Sequence, residues 1–130
     1  MRMLGPLNSG VATGSAGSAA ANASTGVVIT GRIVAVGLVY LDSPPGASTD
    51  VTIATTGANG PAQTVLALTN AATNGWFYPR VATVSTAGAA SLYAGSGTAV
   101  NDYIAIHDVV NVKIEGANAG DGVNVWLLLE

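Results

Sequence analysis

Few side chains in this sequence could do chemistry. The single histidine, His107, is followed directly by Asp108. A Ser-His-Asp relay needs an acid that orients the imidazole from elsewhere in the fold, plus an activated serine. Adjacent residues on a strand point to opposite faces, so His107 and Asp108 make a poor dyad. No Gly-x-Ser-x-Gly elbow occurs. Gly95-Ser96-Gly97-Thr98 is glycine-rich, but neither Gly-Lys-Ser/Thr nor a helical pattern follows, so it reads as a loop rather than a phosphate cradle. Asn118, Asp121 and Asn124 offer oxygens for calcium, which takes about six to eight and usually several carboxylates. Here the one carboxylate sits in an Asp-Gly turn that backbone geometry already explains. Asp42 and Asp50 flank Ser43-Pro44-Pro45-Gly46 and read as loop-end caps rather than an acid-base pair. Cysteine is absent, which excludes disulfides and thiolate metal sites. The expectation is no catalytic residue, no metal and no cofactor.

Trp76-Phe77-Tyr78-Pro79-Arg80 is the most informative segment. On a regular strand Trp76, Tyr78 and Arg80 would share one face, with Phe77 and Val81 on the other. Three uses of that face remain open. It could complete the core, it could stack on sugar rings, or it could anchor a protein interface, where Trp, Tyr and Arg are enriched.

Charge is scarce throughout. Asp, Glu, Lys and Arg make up 8% of the 130 residues, against roughly 25% in an average soluble domain. The four cations Arg2, Arg32, Arg80 and Lys113 are scattered singly, whereas a nucleic-acid binder clusters them against phosphate. No direct nucleic-acid partner is expected. No apolar run approaches the roughly 18 residues that span a bilayer, so no membrane partner is expected. With 49% apolar residues the chain is not a charge-rich disordered one. A free monomer rich in strands usually guards its sheet edges with lysine. One lysine is present here, so either Ser, Thr, Asn and Gly solvate the surface or much of it faces protein neighbours.

The elements that must position these residues divide at residue 26. Asn8 to Gly26 is almost wholly Gly, Ala, Ser, Thr and Asn, with Val11 the one larger apolar residue. It carries neither a helical stripe nor strand alternation. Residues 1–26 are expected to form an extended arm lying across a neighbouring subunit, with Leu4 and Val11 as its candidate contacts. Gly5, Pro6, Asn8, Ser9 and Gly10 interrupt any apolar segment, so no secretory signal is expected.

Residues 27–130 are expected to form an all-β domain, an antiparallel β-sandwich. Val27 to Leu41 is dominated by β-branched residues and should bend near Gly31. Asp50 to Thr56 should return antiparallel to Arg32–Leu41 across the Pro-Gly loop. Gln63 to Thr69 follows as a strand. Trp76 to Val84 should be an edge strand or a bulge because of Pro79, and Tyr103 to Ile106 a short strand. Val109–Glu115 and Gly122–Glu130 alternate and should pair as a hairpin through Asp121-Gly122, with Trp126 and Leu128 the exceptions to the wet face. Seven or eight short strands without a helix suit a sandwich, and eight would suit a jelly roll.

The order Asp50-Val51-Thr52-Ile53, then Trp76 to Val81, then a closing segment Val123-Asn124-Val125 ending in Glu130, resembles small virion proteins of tailed bacteriophages. These are similar to capsid decoration, or cement, proteins. The resemblance covers roughly residues 26 to 130. It implies a structural protein on the phage head surface, working as a homo-oligomer such as a trimer. Its partner would be the major capsid protein, and extended termini would reach across neighbours. Trp76, Tyr78 and Arg80 would then be interface anchors. The alternative from the aromatic segment is a carbohydrate-binding or adhesive β-sandwich module.

Overall fold

The β-branched run after Val27 is strand, and the strand begins well before it. In the computed structural model, which describes residues 1–130, β2 runs from Ala19 to Tyr40, 22 residues, several times the usual length of about 5–6. It follows β1 (Arg2–Asn8). Then come β3 (Asp50–Thr55), β4 (Thr64–Leu68), β5 (Gly75–Phe77), β6 (Val81–Ala82), β7 (Asn101–Asp102), β8 (Ile104–Ala117) and β9 (Val123–Leu129). The fold is all-β, with no helix.

The early start of β2 has a local cause. Ala19, Ala21 and Ala23 lie opposite Ala117, Ile114 and Val112 of β8. Ala12, Ala19, Ile114 and Ala117 are buried together in a small cluster of their own. The backbones approach closely there, since a Cβ placed on Gly14 would stand 3.1 Å from the Ala19 Cα. Small residues are therefore a packing requirement, and the absence of large apolar residues from this stretch did not mean an absence of structure. The boundary drawn at residue 26 falls inside β2, and β1 pairs with β9 of its own chain from Arg2↔Leu129 to Asn8↔Asn124.

Seven strands form one antiparallel sheet in the order β1-β9-β2-β8-β3-β4, with β5 also on β2. The sheet is one continuous hydrogen-bonded path. β2 pairs with β8 from Ala19 to Ile33, then with β9 from Ile33 to Tyr40. Gly31, at φ +152°, marks this handover rather than a break. A side chain there would meet the Glu130 carbonyl at 3.2 Å.

Both halves of the sheet feed one core of 16 buried residues. Ile33, Val36, Leu38 and Tyr40 of β2 and Val123, Val125, Leu127 and Leu129 of β9 come from one half. Val51, Ile53, Val65, Ile104, Ile106, Val110 and Val112 come from the other. Two halves closing on a shared core are consistent with a β-sandwich.

Two pairings and one strand differ from expectation. β3 does not return against β2; it lies between β8 and β4. β8 and β9 are consecutive yet unpaired, because β2 lies between them and uses the facing edge of each. The turn at Asp121 instead ties loops together: its Oδ2 accepts from the Gly46 and Asn118 N–H groups, both at 2.9 Å. Finally, Trp76 to Val84 is not one strand. It divides into β5 and β6, with residues 78–80 outside both. From β6 to β7 the chain makes a small excursion in which no residue is buried.

Asp108 falls in phase with the buried row of β8, between Ile106 and Val110. Its carboxylate accepts from the N–H groups of Val109 (2.7 Å), Gly57 (2.8 Å) and Asn59 (3.2 Å). Burial opposes its charge, but these donors outweigh that and hold its carboxyl below the ordinary value. A folded-state pKa below the unfolded one stabilises above the unfolded pKa and loses effect as pH falls through the folded one. Asp108→Asn should therefore lower the urea midpoint at neutral pH, and its deficit should shrink in strong acid, below the ordinary carboxyl range. Separately, Leu127→Ala or Ile53→Ala, both fully buried, should cost about 2–5 kcal/mol in urea unfolding. Val28→Ala, at 41% exposure, should stay within about 0.5 kcal/mol.

Candidate binding groove

The outer face of the β1-β9-β2-β5 half carries a row set by strand register. Gly37 of β2 lies opposite Trp76 of β5 on one side and opposite Trp126 of β9 on the other. With no side chain on Gly37, the Trp76 indole lies down over the β2 backbone. A Cβ at Gly37 would stand 3.0 Å from Trp76 Cζ3 and 3.1 Å from Cη2. Gly5 does the same for Trp126: its Cβ would stand 2.9 Å from the indole Cδ1, and its φ of +143° also favours glycine.

The result is an open groove of about 390 Å³ lined by Met3, Gly37, Leu38, Val39, Asn74, Gly75, Trp76 and Trp126. No charged residue lines it. Its one polar side chain, Asn74, accepts the Tyr40 N–H on Oδ1 at 2.8 Å. Tyr40 roots this arrangement in the core: its ring is buried and its hydroxyl donates to the Ala71 carbonyl at 2.6 Å. Burial pushes the Tyr40 phenol pKa up, so it remains a donor. Tyr40 thus fixes residues 71–74, which deliver β5 and Trp76 to the sheet. Such a surface can stack on or enclose an uncharged flat or apolar group.

The expected aromatic face is divided. Trp76 is 48% exposed in the groove, and Tyr78 is 64% exposed beyond the end of β5. Arg80 turns elsewhere. Its Nη1 donates to the Val34 carbonyl at 3.1 Å, and its guanidinium stands 4.3 Å from the centroid of the Tyr103 ring. Arg32 lies 5.4 Å from the same ring and pairs with Glu130 at 3.0 Å. Tyr103 joins β7 to β8, so this cation–π attraction holds the base of the β6–β7 excursion at the sheet. Val11 is exposed in the β1–β2 connection, whereas Leu4 packs against the main core. Met3, Gly37 and Trp126 belong to the groove but were not among the candidates. The signal for Trp126 was its break with the wet-face alternation of its strand.

The other chemistry-bearing residues are distributed. His107 Nδ1 and Thr30 Oγ1 are 2.7 Å apart on an exposed face, while Asp108 points inward. Asn118 Oδ1 accepts from the Gly17 N–H at 3.1 Å, and Asn124 Oδ1 accepts from Asn8 Nδ2 at 2.8 Å. Asp50 accepts from the Asn70 N–H at 2.9 Å. Ser96 closes a turn with Tyr93 (Ser96 Oγ to the Tyr93 carbonyl, 3.1 Å).

Compared with known proteins, the chain matches no family model, no curated protein and no solved structure.

Gly37→Val should force the Trp76 indole off the sheet. The expected readout is a change in tryptophan emission and near-ultraviolet dichroism, with a loss of about 1–3 kcal/mol from overpacking. An unchanged spectrum would show that the indole does not rest on Gly37.

Proposed function

We propose that this chain is a structural subunit of a larger assembly, specifically a capsid decoration protein on the head of a tailed phage. The observation that carries the reading is the surface. Thirteen large apolar or aromatic residues are exposed, among them Met3, Val27, Val39, Trp76, Tyr78, Val81, Leu92 and Tyr93. They stand on a chain with 8% charged residues and one lysine. Scattered exposed apolar residues are ordinary. Their combination with so little charge is not how a free monomer keeps itself soluble, but it suits surface shared with neighbours. The resemblance of residues 26 to 130 to decoration proteins supports the particular assembly. The partners are then further copies of this chain and the major capsid protein. Weak contacts repeated over a shell sum to large mechanical stability.

The test has two parts. Light scattering should give a mass of at least twice the chain's 12.8 kDa. Phage heads assembled without the protein should bind it, and binding should raise their resistance to heat. A monomer that no head retains would refute the reading.

The groove favours a second reading, a carbohydrate-binding module. Two indoles and the Asn74 amide around an uncharged trough suit a sugar ring, which presents an apolar face and hydroxyl edges. Glycan-array binding that Trp76→Ala abolishes would favour it over the first.

A further inference from the structure

The sequence contains two Asn-Gly pairs, Asn59-Gly60 and Asn74-Gly75. Such pairs can close on themselves. The backbone nitrogen following the asparagine attacks the side-chain Cγ, and the missing Cβ of glycine leaves that approach open. The structure treats the two pairs very differently.

Asn74 is locked. Its Oδ1 accepts the Tyr40 N–H at 2.8 Å, and Gly75 stands in β5 opposite Leu38. Asn59 and Gly60 are exposed in the β3–β4 loop. The Gly60 N–H makes no hydrogen bond within the chain, whereas open space within 4 Å of a Cβ is common to Gly60 and Gly75. The Asn59 side chain makes one long contact, Nδ2 to Asp108 Oδ1 at 3.4 Å.

We propose that Asn59 is a self-modification site: its side chain condenses with the Gly60 nitrogen and is hydrolysed to a carboxylate, while Asn74 in the same folded chain is spared. The step needs only water. Gly60 N gives up its proton to solvent and forms a bond to Asn59 Cγ. The Cγ–Nδ2 bond breaks and ammonia leaves. Water then opens the five-membered imide at either carbonyl, giving an aspartyl or isoaspartyl link. No electron transfer is involved.

The consequence follows from the neighbour. Asp108 is 4% exposed and already takes its hydrogen bonds from Gly57, Asn59 and Val109. No other titratable side chain makes a hydrogen bond in this cluster. The modification replaces an amide donor with a second negative charge beside that carboxylate, and like charges so close disfavour each other. The β3–β4 loop then loses part of its tether to β8. The modification would act as a slow, irreversible loosening of one end of the sandwich.

The test is peptide mass spectrometry of the full chain held in mildly alkaline buffer, folded and in urea. In the folded protein the Asn59 peptide should gain the mass of deamidation while the Asn74 peptide stays intact. In urea both should convert. Gly60→Ala should abolish conversion at Asn59 over the time that half of the wild type converts. Equal conversion of both sites when folded, or an inert Asn59, would overturn the assignment. As a check on the consequence, Asn59→Asp should lower the melting temperature in the wild type and have a smaller effect beside Asp108→Asn. An equal effect in both backgrounds would refute the charge clash.

Discussion

Strand β2 carries hydrogen bonds for both halves of the molecule. It pairs with β8 along its first part and with β9 along its second. The rest of the topology follows from that double engagement. β8 and β9 cannot form a hairpin, because β2 stands between them. The outer edge of β9 is left free, and β1 fills it. Where β8 begins, its side of β2 becomes open, and β5 takes the remaining length through Val36, Gly37 and Leu38. A strand shared in this way must present apolar residues to one core from both of its halves. Ile29, Ile33, Val36, Leu38 and Tyr40 do so.

Because charge is scarce, the loops are held by neutral donors and buried acceptors. Asp121 ties the Gly46 loop to the β8–β9 turn, and Asp108 ties the β3–β4 loop to β8. Ser9 joins β1 to β9, its hydroxyl accepting the Val123 N–H at 3.0 Å. Every buried side-chain polar atom has a partner, as the cost of an unpaired buried group requires. The two ion pairs, Arg32–Glu130 and Lys113–Glu115, are exposed at 3.0 Å and contribute little. Apolar burial and backbone ladders dominate the stability, leaving the outer surface to other uses. The groove is one of them: two glycines, one beside each indole, convert a flat sheet face into a trough.

The alternation of Val109–Glu115 and Val123–Leu129 was legible, because period-two burial is written directly into residue type. The strand character of Val27–Tyr40 and Asp50–Thr55 was legible for the same reason. Partner choice was not. Val51 and Ile53 reveal a buried face, but they are silent on which strand lies beside them. The first 26 residues misled because alanine and glycine carry almost no hydrophobic signal, even where Ala12 and Ala19 are 2% and 0% exposed. Trp76 was legible as the head of the densest aromatic segment, but residue type left core and surface open, and its exposure is a result of the fold. Its distance from Arg80 in function was not legible, since the strand that would have aligned them ends at Phe77.

The amino-acid sequence by itself determined an all-β chain poor in charge, because those properties reside in residue type and local spacing. The tertiary structure alone decided which edges meet. It placed Gly37 between Trp76 and Trp126, and it set Asp108 among the amides of a distant loop. These outcomes depend on register and strand order, which arise from competition among all strands for the same hydrogen-bonding edges.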